Sequence, residues 1–430
     1  MTQSPEIITF GCRLNAAESE TLRRLSAREG CVGATIINTC AVTNEAVRSA
    51  RQRIRRIKRA APDAKIVVTG CAAQTEPETF AAMPEVAAVI GNQEKLDAAQ
   101  WQTLGRAFRQ PQDDAGDKAG SMVSVNDIMS VRDTAGHMVD GYGDRARAFL
   151  QIQNGCDHRC TFCIIPYGRG NSRSVPVADV IEQAKRLVDN GHRELVLTGV
   201  DITSYGADLD GSPSLGALVA ALLDRVPDLY RLRLSSIDGA EIDETLYERI
   251  ISEPRIAPHL HLSLQSGDNM ILKRMKRRHT REQAIGLCAS VRAARPEIAF
   301  GADIIAGFPT ETEAMFQNSL NIIEEAGLSY LHVFPFSPRH GTPAARMPQA
   351  PRAEVKERAA RLRQTGEKAL HAFLDSLVGR TEDAILESGG RARLGNFAAV
   401  NFGGGDAQVG DVIRLRITGR EGDALIGAAA

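Results

Sequence analysis

The stretch Asn154-Gly155-Cys156-Asp157-His158-Arg159-Cys160-Thr161-Phe162-Cys163 spaces its cysteines C-x3-C-x2-C. Three thiolates on one short loop can hold three corners of a 4Fe-4S cluster, which leaves the fourth iron open to a small molecule. A purely structural cluster or zinc site fills all four positions, so the missing fourth cysteine points to chemistry at the open iron. The competing readings are three cysteines that merely lie close, or a zinc knuckle completed by His158. That residue is interleaved between Cys156 and Cys160 too tightly to close a tetrahedron comfortably.

Around this loop the pattern is α/β. Apolar runs at Ala148–Gln153, Glu194–Thr198, Arg231–Ser235, Leu260–Leu264, Ala299–Ile304 and Tyr330–Phe334 alternate with helical periodicity, as in Val177–Val188 closed by Asn190-Gly191. Six βα units are two short of a closed (β/α)8 barrel and predict an open (β/α)6 partial barrel. Upstream, Ile7-Ile8-Thr9-Phe10, Thr35-Ile36-Ile37-Asn38, Ile66-Val67-Val68-Thr69 and Ala87-Ala88-Val89-Ile90 are continuously apolar runs separated by helices. They predict a doubly wound parallel sheet covered on both faces. Gln110-Pro111-Gln112-Asp113-Asp114-Ala115-Gly116 opens an unpatterned polar segment, a linker. Residues 351–378 read as one charged helix. The tail alternates with period two at Val412–Ile417, turns at Gly403-Gly404-Gly405, and predicts a small β-barrel. The expected domains are therefore 1–107, a linker 108–145, 146–375 and 376–430.

Hydrophobic content of 43% and charged content of 24% are ordinary for a globular chain of 430 residues. Met1-Thr2-Gln3-Ser4-Pro5 lacks the basic stretch and apolar core of a secretory signal, and no apolar run reaches membrane-spanning length. Eight cysteines in this context read as metal ligands in a reducing cytoplasm rather than disulfides. A net charge of −1 gives no global attraction to nucleic acid, so any RNA contact must rest on local patches.

A second cysteine set follows the first three strands: Cys12 after Thr9-Phe10-Gly11, Cys40 after Ile37-Asn38-Thr39, and Cys71 after Val68-Thr69-Gly70. Carboxyl ends of strands in an open parallel sheet face one crevice, so these three converge and again offer three ligands. Cys31 and Cys288 lack such placement and read as small buried hydrophobes.

At this point the chain resembles a known family. Gly11-Cys12-Arg13-Leu14-Asn15, Asn38-Thr39-Cys40-Ala41-Val42-Thr43 and Thr69-Gly70-Cys71-Ala72-Ala73-Gln74 look like the cysteine motifs of the methylthiotransferase amino-terminal domain. The central part resembles the radical S-adenosylmethionine core, and the tail the RNA-binding TRAM barrel. Cys163-Ile164-Ile165-Pro166-Tyr167-Gly168-Arg169-Gly170 and Asn38–Asn44 look most like the branch acting on threonylcarbamoyladenosine in tRNA. Two other branches act on isopentenyladenosine in tRNA and on an aspartate of a ribosomal protein. Arg13 stands where many members have Lys, with the charge kept.

The resemblance implies two 4Fe-4S clusters, one on Cys156, Cys160 and Cys163 and one on Cys12, Cys40 and Cys71. It also implies S-adenosylmethionine, an electron-donor protein, and a tRNA anticodon stem-loop as partner, with neither DNA nor membrane. Strand-end residues then become candidates for holding S-adenosylmethionine: Gly199, Asp201, Ser235, Ser236, Gln265 and Asp303. For RNA, helix Thr43–Ala61 has Arg48, Arg51, Arg55, Lys58 and Arg59 opposite an apolar face of Val47, Ala50, Ile54, Ile57 and Ala61. Lys273, Lys276, Arg277 and Arg278 form a second basic run, and Arg414 and Arg416, with Arg420, a third in the tail. The reading from a different class is a non-catalytic iron-sulfur RNA-binding protein.

Overall fold

The computed structural model describes residues 4–109, 121–132, 139–142, 145–403 and 407–430. The Gln110–Gly116 segment, and Gly404 and Gly405 of the predicted turn, lie outside the described residues. The chain divides into two compact units. The first comprises residues 1–139, 154–173 and 337–342; the second comprises 140–153, 174–336 and 343–430.

The first unit is built on a parallel sheet with strand order β1 (Glu6–Thr9), β2 (Ala34–Thr39), β3 (Lys65–Gly70), β4 (Val86–Ile90) and β5 (Met122–Ser124). Its central strands are buried on both faces, which is why β2 reads Ala-Thr-Ile-Ile-Asn-Thr without alternation. On one face α1 (Arg13–Arg28) packs Leu22 against Ile36, Val67 and Ile90, beside Trp101 and Leu104 of a later helix. On the other, α2 (Asn44–Ala60) packs Val47 and Ile54 against Ile37 and Val68. The Thr43 hydroxyl accepts from the Ala46 N–H and starts α2. α3 (Cys71–Thr75) and α4 (Pro77–Ala81) join β3 to β4, and α5 (Ala98–Arg109) carries Trp101. β5 was not anticipated: it lies in the stretch read as linker, and two of its three residues are exposed, so it has no apolar pattern. The last helix of the unit is α6 (Ile165–Arg169), on the loop of the C-x3-C-x2-C motif.

The second unit contains the six expected parallel strands, with one short strand more, in two sheets. Arg147–Gln151, Glu194–Thr198 and Arg231–Leu234 pair in that order in the first; the short Ser236–Ile237, His259–Gln265, Ala299–Ala306 and Leu328–Pro335 pair in that order in the second. The long helix spans Arg352–Asp375. Beyond it, five strands close a barrel around Ala384, Leu394, Val400, Leu415, Ile417 and Leu425. Among the described residues no helix is long and apolar enough to cross a membrane.

Candidate metal centres

Cys12, Cys40 and Cys71 stand just past β1, β2 and β3. Cys12 caps α1, Cys40 follows Thr39, and Cys71 opens α3. Two glycines make the turns possible. Gly11 has φ of +92°, and a Cβ there would sit 2.7 Å from Cys40 Cβ; Gly70 has φ of +94°, and its Cβ would meet the Thr39 carbonyl at 2.4 Å. Side chains tie the strand ends together. Asn15 Nδ2 donates to the carbonyls of Phe10 (2.7 Å) and Thr39 (3.0 Å), and the Thr39 hydroxyl donates to the Thr69 carbonyl at 2.6 Å. Burial, and then the neighbouring Cys71 and Cys12 sulfurs, push the Cys40 thiol up to about 12. A buried thiol raised in this way needs a compensating positive charge before it can serve as a thiolate ligand.

The Cys156–Cys163 loop belongs to the same compact unit. All three of its thiols are partly exposed. Its backbone is closed by Cys163 N–H to Cys160 O and Cys156 N–H to Gly170 O, both at 3.1 Å. Arg159 donates to the Cys156 carbonyl at 2.8 Å and to Asn171 at 2.7 Å.

Between the two sets lies a buried polar group that the sequence reading did not single out. Arg169, at the end of α6, donates from Nη1 to Glu18 Oε1 (2.7 Å) and from Nη2 to Glu18 Oε2 (2.9 Å). It also donates to Asn154 and Asn15, and its Nε lies 3.2 Å from Cys71 Sγ. Lys95 donates to Glu18 and to Asn92, each at 2.7 Å. Glu18, Lys95 and Arg169 are each 5% exposed or less. The Glu18 carboxylate therefore bonds both the Arg169 guanidinium and the Lys95 amine, whose own ionisation burial disfavours, and the guanidinium brings its positive charge beside the Cys71 thiol. An oxidised 4Fe-4S core on three thiolates carries one net negative charge, so donor set and surroundings both fit such a cluster. The available signal was in α1: Asn15, Glu18 and Ser19 share its buried face with Leu14 and Leu22.

Of the residues proposed for S-adenosylmethionine, Gly199 follows strand Glu194–Thr198, and a Cβ there would come within 2.8 Å of Gln153 Oε1. That same oxygen accepts the N–H groups of Val200 and Asp201. The Asp201 carboxylate accepts from Thr203 (3.0 Å) and Ser204 (2.9 Å). Ser235 is buried, and Ser236 shares a 2.8 Å bond with Ser263. Gln265 ends its strand with a left-handed φ of 69°. Asp303 stands mid-strand and accepts from His261 (2.9 Å) and His332 (3.2 Å). Burial alone would raise its pKa, but the two imidazoles bring it down to about 2.

The basic candidates divide. Arg48, Arg55 and Arg59 are exposed on α2; Arg51 is half-buried, and half-buried Lys58 donates to the Ala64 carbonyl at 3.0 Å. Lys273 and Lys276 are exposed. Arg277 is corrected: its side chain is 8% exposed and donates to Asp238 (2.9 Å) and the Ser263 carbonyl (2.7 Å), so its guanidinium serves the fold. Arg278, 43% exposed, pairs with Glu241 at 2.6 Å. Arg414 and Arg416 are exposed, whereas Arg420 pairs with Asp375 at 2.7 Å. Cys31 and Cys288 are buried, as expected for hydrophobes.

Residues 150–323 match the family model described as the Radical SAM superfamily, and residues 5–91 the one described as uncharacterized protein family UPF0004. The chain is 50% identical to the threonylcarbamoyladenosine tRNA methylthiotransferase MtaB of Rickettsia prowazekii, over 97% of this chain and 95% of that protein. It is 36% identical to the protein of that name from Bacillus subtilis, over 95% and 92%. It is 34% identical to a tRNA-2-methylthio-N(6)-dimethylallyladenosine synthase of Cereibacter sphaeroides, over 98% and 97%. Among solved structures, the radical S-adenosylmethionine methyltransferase TsrM of Kitasatospora setae shares the fold, with a TM-score of 0.53 at 15% identity, over 79% of this chain and 77% of that one.

Proposed function

The chain belongs to the radical S-adenosylmethionine tRNA methylthiotransferases, and from that premise we propose that it places a methylthio group on carbon 2 of the threonylcarbamoyladenosine next to the anticodon. It uses S-adenosylmethionine and two 4Fe-4S clusters, and its substrate is tRNA. The observation that carries this reading is a pair of three-thiol sets within one compact unit. An unactivated aromatic C–H needs both a hydrogen abstractor and a sulfur donor, and no side chain supplies either. When bound, the clusters and S-adenosylmethionine supply that chemistry.

The chain's own residues then have distinct tasks. Cys156, Cys160 and Cys163 would hold one cluster on a partly exposed loop, and Cys12, Cys40 and Cys71 the other at the strand ends. Gly199 keeps its loop close to Gln153, and Asp201, Ser235, Ser236, Gln265 and Asp303 offer polar groups to S-adenosylmethionine. Arg48, Arg55 and Arg59 of α2, Lys273 and Lys276, and Arg414 and Arg416 of the small barrel offer phosphate contacts to the anticodon stem-loop. A donor protein of the reducing cytoplasm supplies the electron.

The test is a nucleoside profile of tRNA from a strain lacking the gene. Loss of the methylthio derivative of threonylcarbamoyladenosine, with the dimethylallyladenosine derivative intact, is expected. The reverse pattern overturns the substrate assignment.

A further inference from the structure

Resting on the reading of Cys12, Cys40 and Cys71 as a cluster site, we propose that Arg169 is a positioning residue for that cluster. Carried on the loop of the other cysteine set, it raises the cluster's electron affinity through its bond to the Cys71 sulfur and through its buried charge. Arg169 follows Cys163 by six positions yet is sunk among residues of α1 and the β3–α3 turn. Gly168 permits the approach, because a Cβ there would stand 3.3 Å from Cys71 Cβ, and Asn92 donates to the Gly168 carbonyl.

A guanidinium has five N–H donors in a fixed fork. Here all five are engaged: two with Glu18, one each with Asn15 and Asn154, and the Nε–H with Cys71. The four oxygen acceptors fix the plane, so the fifth donor points at sulfur without freedom to turn away. Glu18 pairs with both Arg169 and Lys95. A hydrogen bond to a ligand sulfur and a buried guanidinium charge beside it both favour the electron-richer state of a cluster, and so raise its reduction potential. A lysine at 169 would keep the charge but cannot hold the fork.

The test isolates this cluster in full-length protein carrying Cys156→Ala, Cys160→Ala and Cys163→Ala. Reduction potentials are read by electron paramagnetic resonance during redox titration. Arg169→Gln removes charge and fork and should lower the potential; Glu18→Gln keeps the Arg169 donor and removes the anion, and should raise it. Opposite shifts support the proposal. Shifts of one sign, as general loosening gives, or no shift in either variant, overturn it. Should a glutamine variant fail to hold iron, Arg169→Lys provides the measurement: a potential below the parent's supports the proposal, and an unchanged one overturns it. If the parent triple variant holds no cluster, the reading of Cys12, Cys40 and Cys71 fails, and this inference with it.

Discussion

A carboxylate enclosed away from water persists only among cations, and Glu18 shows the consequence in its titration. Burial alone would raise its pKa, but Arg169 and Lys95 bring it to about 2 from an ordinary 4.5. Its folded pKa lies below its unfolded one, so its stabilisation is complete above pH 4.5 and drains away as pH falls toward 2. The full effect is about 3 kcal/mol, one depressed carboxylate's worth. Denaturant midpoints should decline across that window and flatten in Glu18→Gln. That variant should itself lose about 3 to 5 kcal/mol at neutral pH, because two buried cations remain without their anion. The cysteines give a sharper residue-scale outcome. Cys160→Ala should abolish release of deoxyadenosine from S-adenosylmethionine, whereas Cys40→Ala should retain part of it while ending methylthio transfer. Iron per chain should fall by about half in each; unchanged iron in the Cys40 variant would count against a second cluster.

Among the elements, α2 separates fold from recognition. Its apolar face holds the sheet, so Arg48→Glu with Arg55→Glu, both exposed, should leave iron content and melting unaltered. Affinity for tRNA should drop at low salt, and each lost phosphate contact should flatten the salt slope by about one unit or less. Identical affinity and slope in a filter-binding titration would remove α2 from the RNA surface. Strand ends carry the opposite burden: Gly70→Ala puts a methyl group against the Thr39 carbonyl and should cost the Cys12/Cys40/Cys71 iron. Most of this was legible beforehand. Continuous apolar runs mark buried parallel strands, and cysteines at three equivalent strand ends announce convergence. What escaped reading had no local pattern. β5 is three residues long and mostly exposed, and Arg277 looks like any member of a basic run until Asp238, 39 positions away, is seen to hold it. Glu18, Lys95 and Arg169 likewise meet only through the fold.

On the scale of the whole chain, sequence neighbours and structural neighbours diverge. Residues 154–173 and 337–342 belong by their contacts to the unit of the amino-terminal sheet. Arg339, 3% exposed, donates to Asn44 and Glu76, and Arg169 completes the setting of Glu18. A fragment ending at Arg109 has the three sheet cysteines but neither arginine. It should melt well below the full chain and retain little iron on reconstitution, as calorimetry and iron analysis of the two proteins would reveal. Order of manufacture follows from the same arrangement. A ribosome releases Cys71 long before Arg169, so the sheet's buried thiols leave it well ahead of the guanidinium that bonds the Cys71 sulfur in the finished fold.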